Sequence, residues 1–484
     1  MKKRILAAIL ASLMLLSTAT ACATGGDHPK DTSASNQTST ETQDDSFPDI
    51  PKQNYNGETF RMIGWTAPGD WYFAEEYKNE SGNTGVLNNT LYEMNTLVEE
   101  YLNVELAYET VKVVNGHEIF EKVSPTVMSG DDIYQLCTLH AYYDYPSFIT
   151  KNYALDFYSF EEPDYTAEYW NRDVMDMLSI GGRAYIGLSD LCWKSFYMIY
   201  CNKDMLKDAN MTVPYTEVRN GEWTLDRFIS MTTGLYVDNG DGVRNANDIY
   251  GFAGMWDGEG NAFMQACDIY VARKNDDGQF ELTLYGDRLI EMYDKLYTWA
   301  QDEGVLPWNF HSPAYTVDFK ANQSYFTCSG LGTQYLDADF QVGILPLPKY
   351  DLDQENYAHV NWGNNMIIPS TVQNKTMVGQ VLEMMSYYSN TMVLTKYYDE
   401  VLQLRVSEAP DDRDMVELIY NTTVYDPGIA FCDGSPALFN LVYTTCFGIR
   451  ENHANITSYY KKNDKVAEKW LKNMIRQVEK NNQD

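Results

Sequence analysis

Oxygen-bearing side chains recur every one to four residues around glycines in DNGDGVRNANDIYGF, which starts at Asp238; such an arrangement can wrap a hard cation. Taking Asp248 as the loop's end, its third, fifth, ninth and twelfth positions are Asn239, Asp241, Asn245 and Asp248, and Gly242 takes the sharp turn. The first position is Val237, which has no side-chain oxygen unless Asp238 shifts the register, and the last is Asp where a bidentate Glu is usual. An Asn/Asp/Gly turn without any metal accounts for the same residues. A structural calcium is thus an expectation, and no cofactor is required.

A second chemistry is stacking. Trp65, Trp71, Tyr72, Tyr142, Tyr143, Trp193, Trp256 and Trp362 stand at the ends of β-rich runs or in the loops after them, and Asp144, Asp190, Asp257 and Asn361 lie beside these rings. An aromatic face stacks on the apolar face of a sugar ring, while neighbouring carboxylates and amides hold its hydroxyls. The expected ligand-binding set is Trp65, Tyr143, Asp190, Trp193, Trp256, Asp257, Asn361 and Trp362. Core packing accounts for any single ring equally well. Trp299 and Trp470 fall inside helical patterns and are read as core.

Hydrolytic chemistry has no comparable signature. HExxH, GxSxG, a Walker loop and CxxC are all absent, and His28, His117, His140, His311, His359 and His453 show no metal-ligand spacing. His140, close to Tyr142, is expected near the site as a hydrogen-bonding residue. Sixty-nine acidic residues are enough to supply a facing pair of glycosidase carboxylates. A glycan-processing enzyme and a cell-surface adhesion or scaffold protein therefore stand as alternatives to a binding protein, and no catalytic residue is assigned.

The elements that must position these residues belong to a chain of 484, which suits two or three lobes. Its hydrophobic share of 44% allows a packed core, and its formal charge of −33 would repel nucleic acid and anionic lipid. Lys2, Lys3 and Arg4 precede the apolar run ILAAILASLMLLSTATA, a secretory signal over residues 1–21. The run ends in ATAC, so that Cys22 resembles the acylated cysteine of a bacterial lipobox, with Ala19 where Leu is usual. An uncleaved anchor would tether the chain on the same side. Residues 22–54, rich in Ser, Thr, Asp and Gln, read as a flexible tether. The expected location is the outer face of the cytoplasmic membrane. The other seven cysteines form an odd set without CxxC, so no disulfide scaffold is expected.

From Tyr55 onward strands alternate with helices. ETFRMIGW, VELAYE, DDIYQLCTL, RAYIGLSD and SFYMIYCN read as strands. LNNTLYEMNTLVEEYLN reads as a helix with Leu91, Met94, Leu97, Val98 and Tyr101 on one face, DRLIEMYDKLYTWAQDEG as a helix stopping at Gly304, and DKVAEKWLKNMIRQVEK as a final helix. The order TFRMIGW, GDDIYQLCTL, ALDF, GRAYIGLSD, MIYCNKDML, EWTLDRFISM, IYGFAG, VGILPLPKYD resembles the extracellular solute-binding proteins of ABC importers, in the group that includes maltose-binding protein, across nearly the whole body. The resemblance implies an α/β fold of two lobes joined by three crossing strands, with a ligand caught between them. The crossings would fall at Ser195–Tyr200, Gln341–Pro348 and Lys396–Gln403. Lobe one would be residues 55–197 and 345–400, and lobe two residues 198–344 and 401–484. It further implies a lipid-anchored receptor that captures a solute, with a mono- or oligosaccharide favoured, and passes it to a membrane permease driven by a separate ATPase.

Overall fold

Phe60, Met62, Ile63 and Trp65 are all buried along strand β1 (Glu58–Thr66), the pattern of a strand covered on both faces. In the computed structural model β1 pairs in parallel with β2 (Val104–Lys112) and β3 (Leu136–His140). The structure describes residues 47–66, 86–192, 194–254, 257–306, 319–330, 338–396 and 409–483. The signal, Cys22, most of the tether, Trp71, Tyr72, Trp193, Trp256 and the third expected crossing from residue 397 onward lie outside the described residues. No helix among the described residues is long and apolar enough to cross a membrane.

The β1–β2 connection contains the helix Val86–Leu102, which buries Leu91, Met94, Val98 and Leu102 on one face, with Leu97 and Tyr101 at its margin. Ile50 is buried too, and its carbonyl accepts a 2.7 Å hydrogen bond from Tyr101, so the chain already packs on the body within the segment whose composition reads as tether.

A second sheet begins at β4 (Tyr197–Asn202) and gathers β5 (Tyr236–Val237), β6 (Ile249–Ala253), β9 (Val305–Leu306), β10 (Ser324–Gly330) and β11 (Val342–Leu345). Between β6 and β9 come a small antiparallel pair, β7 (Ala272–Lys274) and β8 (Phe280–Leu282), and the helix Asp287–Trp299. β4 lies between β10 and β11, antiparallel to both. Under this sheet Phe228, Phe252, Phe263 and Trp299 form a buried aromatic core, and Trp299 Nε1 donates to Thr232 Oγ1 at 2.9 Å. The chain then returns: β12 (His359–Val360) pairs with the later β14 (Thr423–Val424), and β13 (Asn364–Ile367) closes the first sheet antiparallel to β3.

The C-terminal helix Ile456–Asn481 is capped by Asn455, whose side chain accepts from the Ser458 amide. Along its length it reaches distant parts of the chain. Tyr460 stacks on Tyr285 at 4.7 Å, just after β8, whereas Asn481 Nδ2 donates to the Thr150 carbonyl at 2.8 Å and Asn482 accepts from Arg183 and Tyr185. Trp470 on this helix is half-buried rather than core, with Nε1 donating to the Phe431 carbonyl at 3.1 Å.

Two sequence expectations fail for reasons of packing. RAYIGLSD forms no strand: single bridges join Ile180 to Arg183 and Gly187 to Met366, and the Phe157 ring stands 2.3 Å from where a Gly187 Cβ would be. Gly304 does not cap the helix Asp287–Trp299, whose cap is Ala300; a Cβ on Gly304 would meet the Thr232 carbonyl oxygen at 2.6 Å, so glycine serves a close backbone approach. The seven cysteines from Cys137 to Cys446 are all buried and unpaired. Burial pushes the Cys192 and Cys267 thiols up to about 12, which keeps them protonated and inert.

Candidate functional site

β1 and β3 run in parallel, so Trp65 and His140 reach the same edge of the first sheet, the carboxyl edge where open α/β sheets hold ligands. β13 is antiparallel to β3, and its Asn364 pairs with His140, so Trp362 enters at that edge as well. There the rings meet. Trp65 stacks on His140 at 6.3 Å and takes the edge of Tyr143 at 5.2 Å; Tyr142 lies 4.3 Å from Tyr143 and 5.9 Å from Trp362. Tyr197, the first residue of β4, brings the second sheet into the group, 6.3 Å from Trp362. The C-terminal segment completes it: Tyr443 lies 6.5 Å from Trp362, 4.6 Å from Phe439 and 5.3 Å from Phe447.

This wall has a buried back and a half-open front. Trp65, Trp362 and Tyr443 are 3%, 5% and 5% exposed, whereas Tyr142, Tyr143, Tyr197, Phe439 and Phe447 are half-buried and keep ring surface available. Trp362 is therefore set behind the others. Its Nε1 is buried without a hydrogen-bond partner among the described residues, which leaves a donor for a ligand or water oxygen. Burial drives His140 down to about 3, so its imidazole is neutral and packs as a stacking group against Trp65.

Asn361 is engaged with the protein itself. It is 4% exposed, and its Oδ1 accepts from the Ser195 and Gly363 amides at 2.9 Å each, while Nδ2 donates to Tyr425 Oη at 3.0 Å. Its own amide donates to the Val424 carbonyl at 3.0 Å, and the Trp362 amide to the Ser195 carbonyl at 2.6 Å. Three chain passages, through Ser195, Asn361 and Val424–Tyr425, are thus tied side by side at one amide. A cavity with room for about one water adjoins this knot, lined by Asn361, Asn365, Tyr425 and Asp426; the buried Asn365 Oδ1 has no protein partner among the described residues.

Asp190 belongs to another polar group. It accepts from Asn390 Nδ2 at 2.8 Å, and burial raises its carboxyl pKa despite that bond. Lys194, lowered by burial and opposed by the Asp190 charge, caps the Tyr420 ring at 3.9 Å. None of the contacts recorded for Asp190 reaches the aromatic wall. Asp257 opens the helix Asp257–Ala266, while Trp193 and Trp256 lie outside the described residues. Sequence reading missed Tyr197, Phe439, Tyr443 and Phe447. Their signal was present in PALFNLVYTTCFG, where Phe439, Tyr443 and Phe447 recur every fourth residue; the chain forms two short helices there, Pro436–Val442 and Thr444–Arg450, joined at Tyr443.

In the Asn/Asp/Gly loop, Asp248 is fully buried. It accepts from the Asn239 and Asn245 amides at 3.0 and 2.8 Å and from Tyr236 Oη at 2.9 Å, so although burial opposes ionisation these bonds hold its carboxyl below the usual range. Asn239 Oδ1 and Asp241 Oδ1 accept from the Asp241 and Val243 amides, and Asn245 Oδ1 from the Asn247 amide. Single ligand atoms from Asp238, Asp241 and Asp248 lie within 4.8 Å of one another, so Asp238 brings a side-chain oxygen where Val237 has none.

No protein-family model matches the sequence, and no curated protein is similar to it in sequence. Solved structures do match the fold. An ABC substrate-binding protein from Listeria monocytogenes in complex with cycloalternan aligns over 88% of this chain and 99% of its own, with a TM-score of 0.53 at 16% identity. The cyclic α-maltosyl-1,6-maltose binding protein of Arthrobacter globiformis aligns over 86% and 100% with a TM-score of 0.57 at 12% identity. A solute-binding protein of an ABC transporter from Thermotoga lettingae, bound with α-D-tagatose, aligns over 86% and 100% with a TM-score of 0.54 at 14% identity. The two sheets, the aromatic wall at the carboxyl edge of the first and these alignments agree: the chain has the two-lobed α/β fold of the ABC substrate-binding proteins.

Proposed function

We propose that the chain is a receptor that captures a carbohydrate between its two lobes and delivers it to the permease of an ABC importer. The aromatic wall carries this reading, because half-buried rings backed by a buried indole donor and a neutral imidazole suit a ligand with apolar ring faces and hydroxyl edges. Support also comes from similarly folded proteins crystallised with cycloalternan and tagatose. The three passages tied at Asn361 act as the hinge, and the Ser195 passage is one of those expected from sequence. Cys22 carries the lipid that holds the receptor at the outer face of the cytoplasmic membrane, and metabolic lipid labelling lost in Cys22→Ser tests that part. Binding is tested by calorimetric titration of the soluble body with mono- and oligosaccharides, with di- to pentapeptides as the control set. Saccharide binding at one-to-one stoichiometry is expected; peptide binding without saccharide binding would reassign the ligand class, and hydrolysis of the saccharides would restore the enzyme alternative.

The Asp238–Asp248 loop holds a structural calcium in this reading, supported by the three clustered carboxylates. Calcium should raise the melting temperature by mass action, equivalent to about 2.7 kcal/mol at a hundredfold excess over its dissociation constant, and Asp241→Ala should remove the shift. An unchanged melting temperature at millimolar calcium would leave a metal-free turn held by its own amide bonds.

A further inference from the structure

We propose that His117, Asp144 and Asp433 form a binding site for a transition-metal dication of the zinc class, which clamps the C-terminal segment onto the first sheet. His117 precedes the helix Glu118–Ser129, Asp144 follows β3, and Asp433 lies between the helices Pro427–Ala430 and Pro436–Val442. Remote parts of the chain therefore supply the donors. His117 Nδ1 is 2.8 Å from Asp144 Oδ1 and 3.8 Å from Asp433 Oδ2. Ligands at zinc distances of about 2.0–2.1 Å in a tetrahedron stand about 3.3 Å apart, so both separations lie within about half an ångström of a metal shell.

The second observation is an unsatisfied oxygen. Asp144 is 1% exposed, and apart from the Phe120 amide, which acts on this carboxylate, its Oδ2 makes no well-formed hydrogen bond among the described residues. A buried carboxylate oxygen so weakly served is costly. Two carboxylates face one imidazole here, so even a protonated His117 cannot neutralise the group, whereas a dication can. The donors are also held in place. Asp144 sits in the left-handed region at φ 66° with its amide donating to Asp433 Oδ2 at 2.8 Å, and Tyr143 packs edge-on against the His117 ring at 5.8 Å. Gly116 permits that approach, since a Cβ there would fall 2.3 Å from the Tyr143 ring.

Glu118, the nearest other carboxylate in sequence, is spent on the amides of Val114, Asn115 and Gly116. One imidazole and two carboxylates suit zinc or a neighbouring first-row ion with water in the remaining position; calcium requires six or more oxygens. The seven buried thiols leave no exposed cysteine among the described residues to compete for the ion.

The test is calorimetric titration of chelator-treated mature protein with zinc chloride near neutral pH, in wild type, His117→Gln, Asp433→Asn and the control Asp241→Asn. Wild type and control should take up one tight equivalent, which excess calcium does not displace, and both site variants should bind at least tenfold more weakly. X-ray absorption of the loaded protein should show nitrogen and oxygen ligands only, with one imidazole. Asp433 is 15% exposed, and Asp433→Asn retains an acceptor for the Asp144 amide, so this variant decides the matter should His117→Gln not fold. Absence of tight zinc binding in wild type, or site variants that bind as wild type does, would overturn the site.

Discussion

Asn361→Ala lowers the folding free energy by about 3 kcal/mol, the expected result of leaving the Ser195 and Gly363 amides and the Tyr425 hydroxyl without their buried partner. Each of the three loses one bond, and the neighbouring cavity admits about one water, too little to serve them all. The loss is expected as an earlier urea transition of the body. Because the same amide ties together the three chain passages proposed to act as the hinge, ligand affinity should fall as well, but only indirectly. If stability holds while saccharide affinity collapses, Asn361 is a ligand contact and the three-passage knot is not what the side chain maintains.

Trp362→Ala should have the largest combined effect. The ring is 5% exposed and packed among Tyr142, Tyr197 and Tyr443, so its truncation opens a cavity and costs about 3–5 kcal/mol of stability. Sequence left cleft and core open for this ring; its burial in the structure requires the loss of stability. Affinity for saccharide should fall about thirtyfold or more, roughly 2 kcal/mol, through loss of the wall's backing. Trp362→Phe separates the two effects. The indole N–H has no hydrogen-bond partner among the described residues, so phenylalanine forfeits no known protein bond and should cost less than about 1.5 kcal/mol of stability. Affinity should nevertheless drop if that N–H donates to the ligand. Unfolding curves and calorimetric titrations of both variants read the two quantities independently; full saccharide affinity in Trp362→Phe would remove the N–H from the ligand site.

Much of the fold was legible because it rests on local periodicity. Leu91, Met94 and Val98 recur at helical spacing and are buried, and TFRMIGW followed by a helix and VELAYE yields the β1–β2 parallel pair. The dense aromatic loops pointed to Trp65, Tyr143 and Trp362, which do share one wall. What the chain implies about export and lipid anchoring rests on its first 22 residues alone, since charge, apolar length and a small-residue boundary are properties of sequence.

Tertiary structure decided which remote residues meet. Phe439, Tyr443 and Phe447 read as one more apolar helix face until the chain returns to set them against Trp362, and nothing near Asp433 in sequence hints at His117 or Asp144. It likewise made Asn361 a buried tie between chain passages, and turned Gly304 from a helix cap into a point of close approach and RAYIGLSD from a strand into isolated bridges. The physical reason is common to all of them. Periodicity records that one face of a segment leaves water, since apolar burial is set by composition and spacing along the chain. It does not record what covers that face, because a hydrogen-bond partner, a stacked ring or a second carboxylate is supplied by whichever distant passage packs there, and that choice is made by the whole chain folding at once.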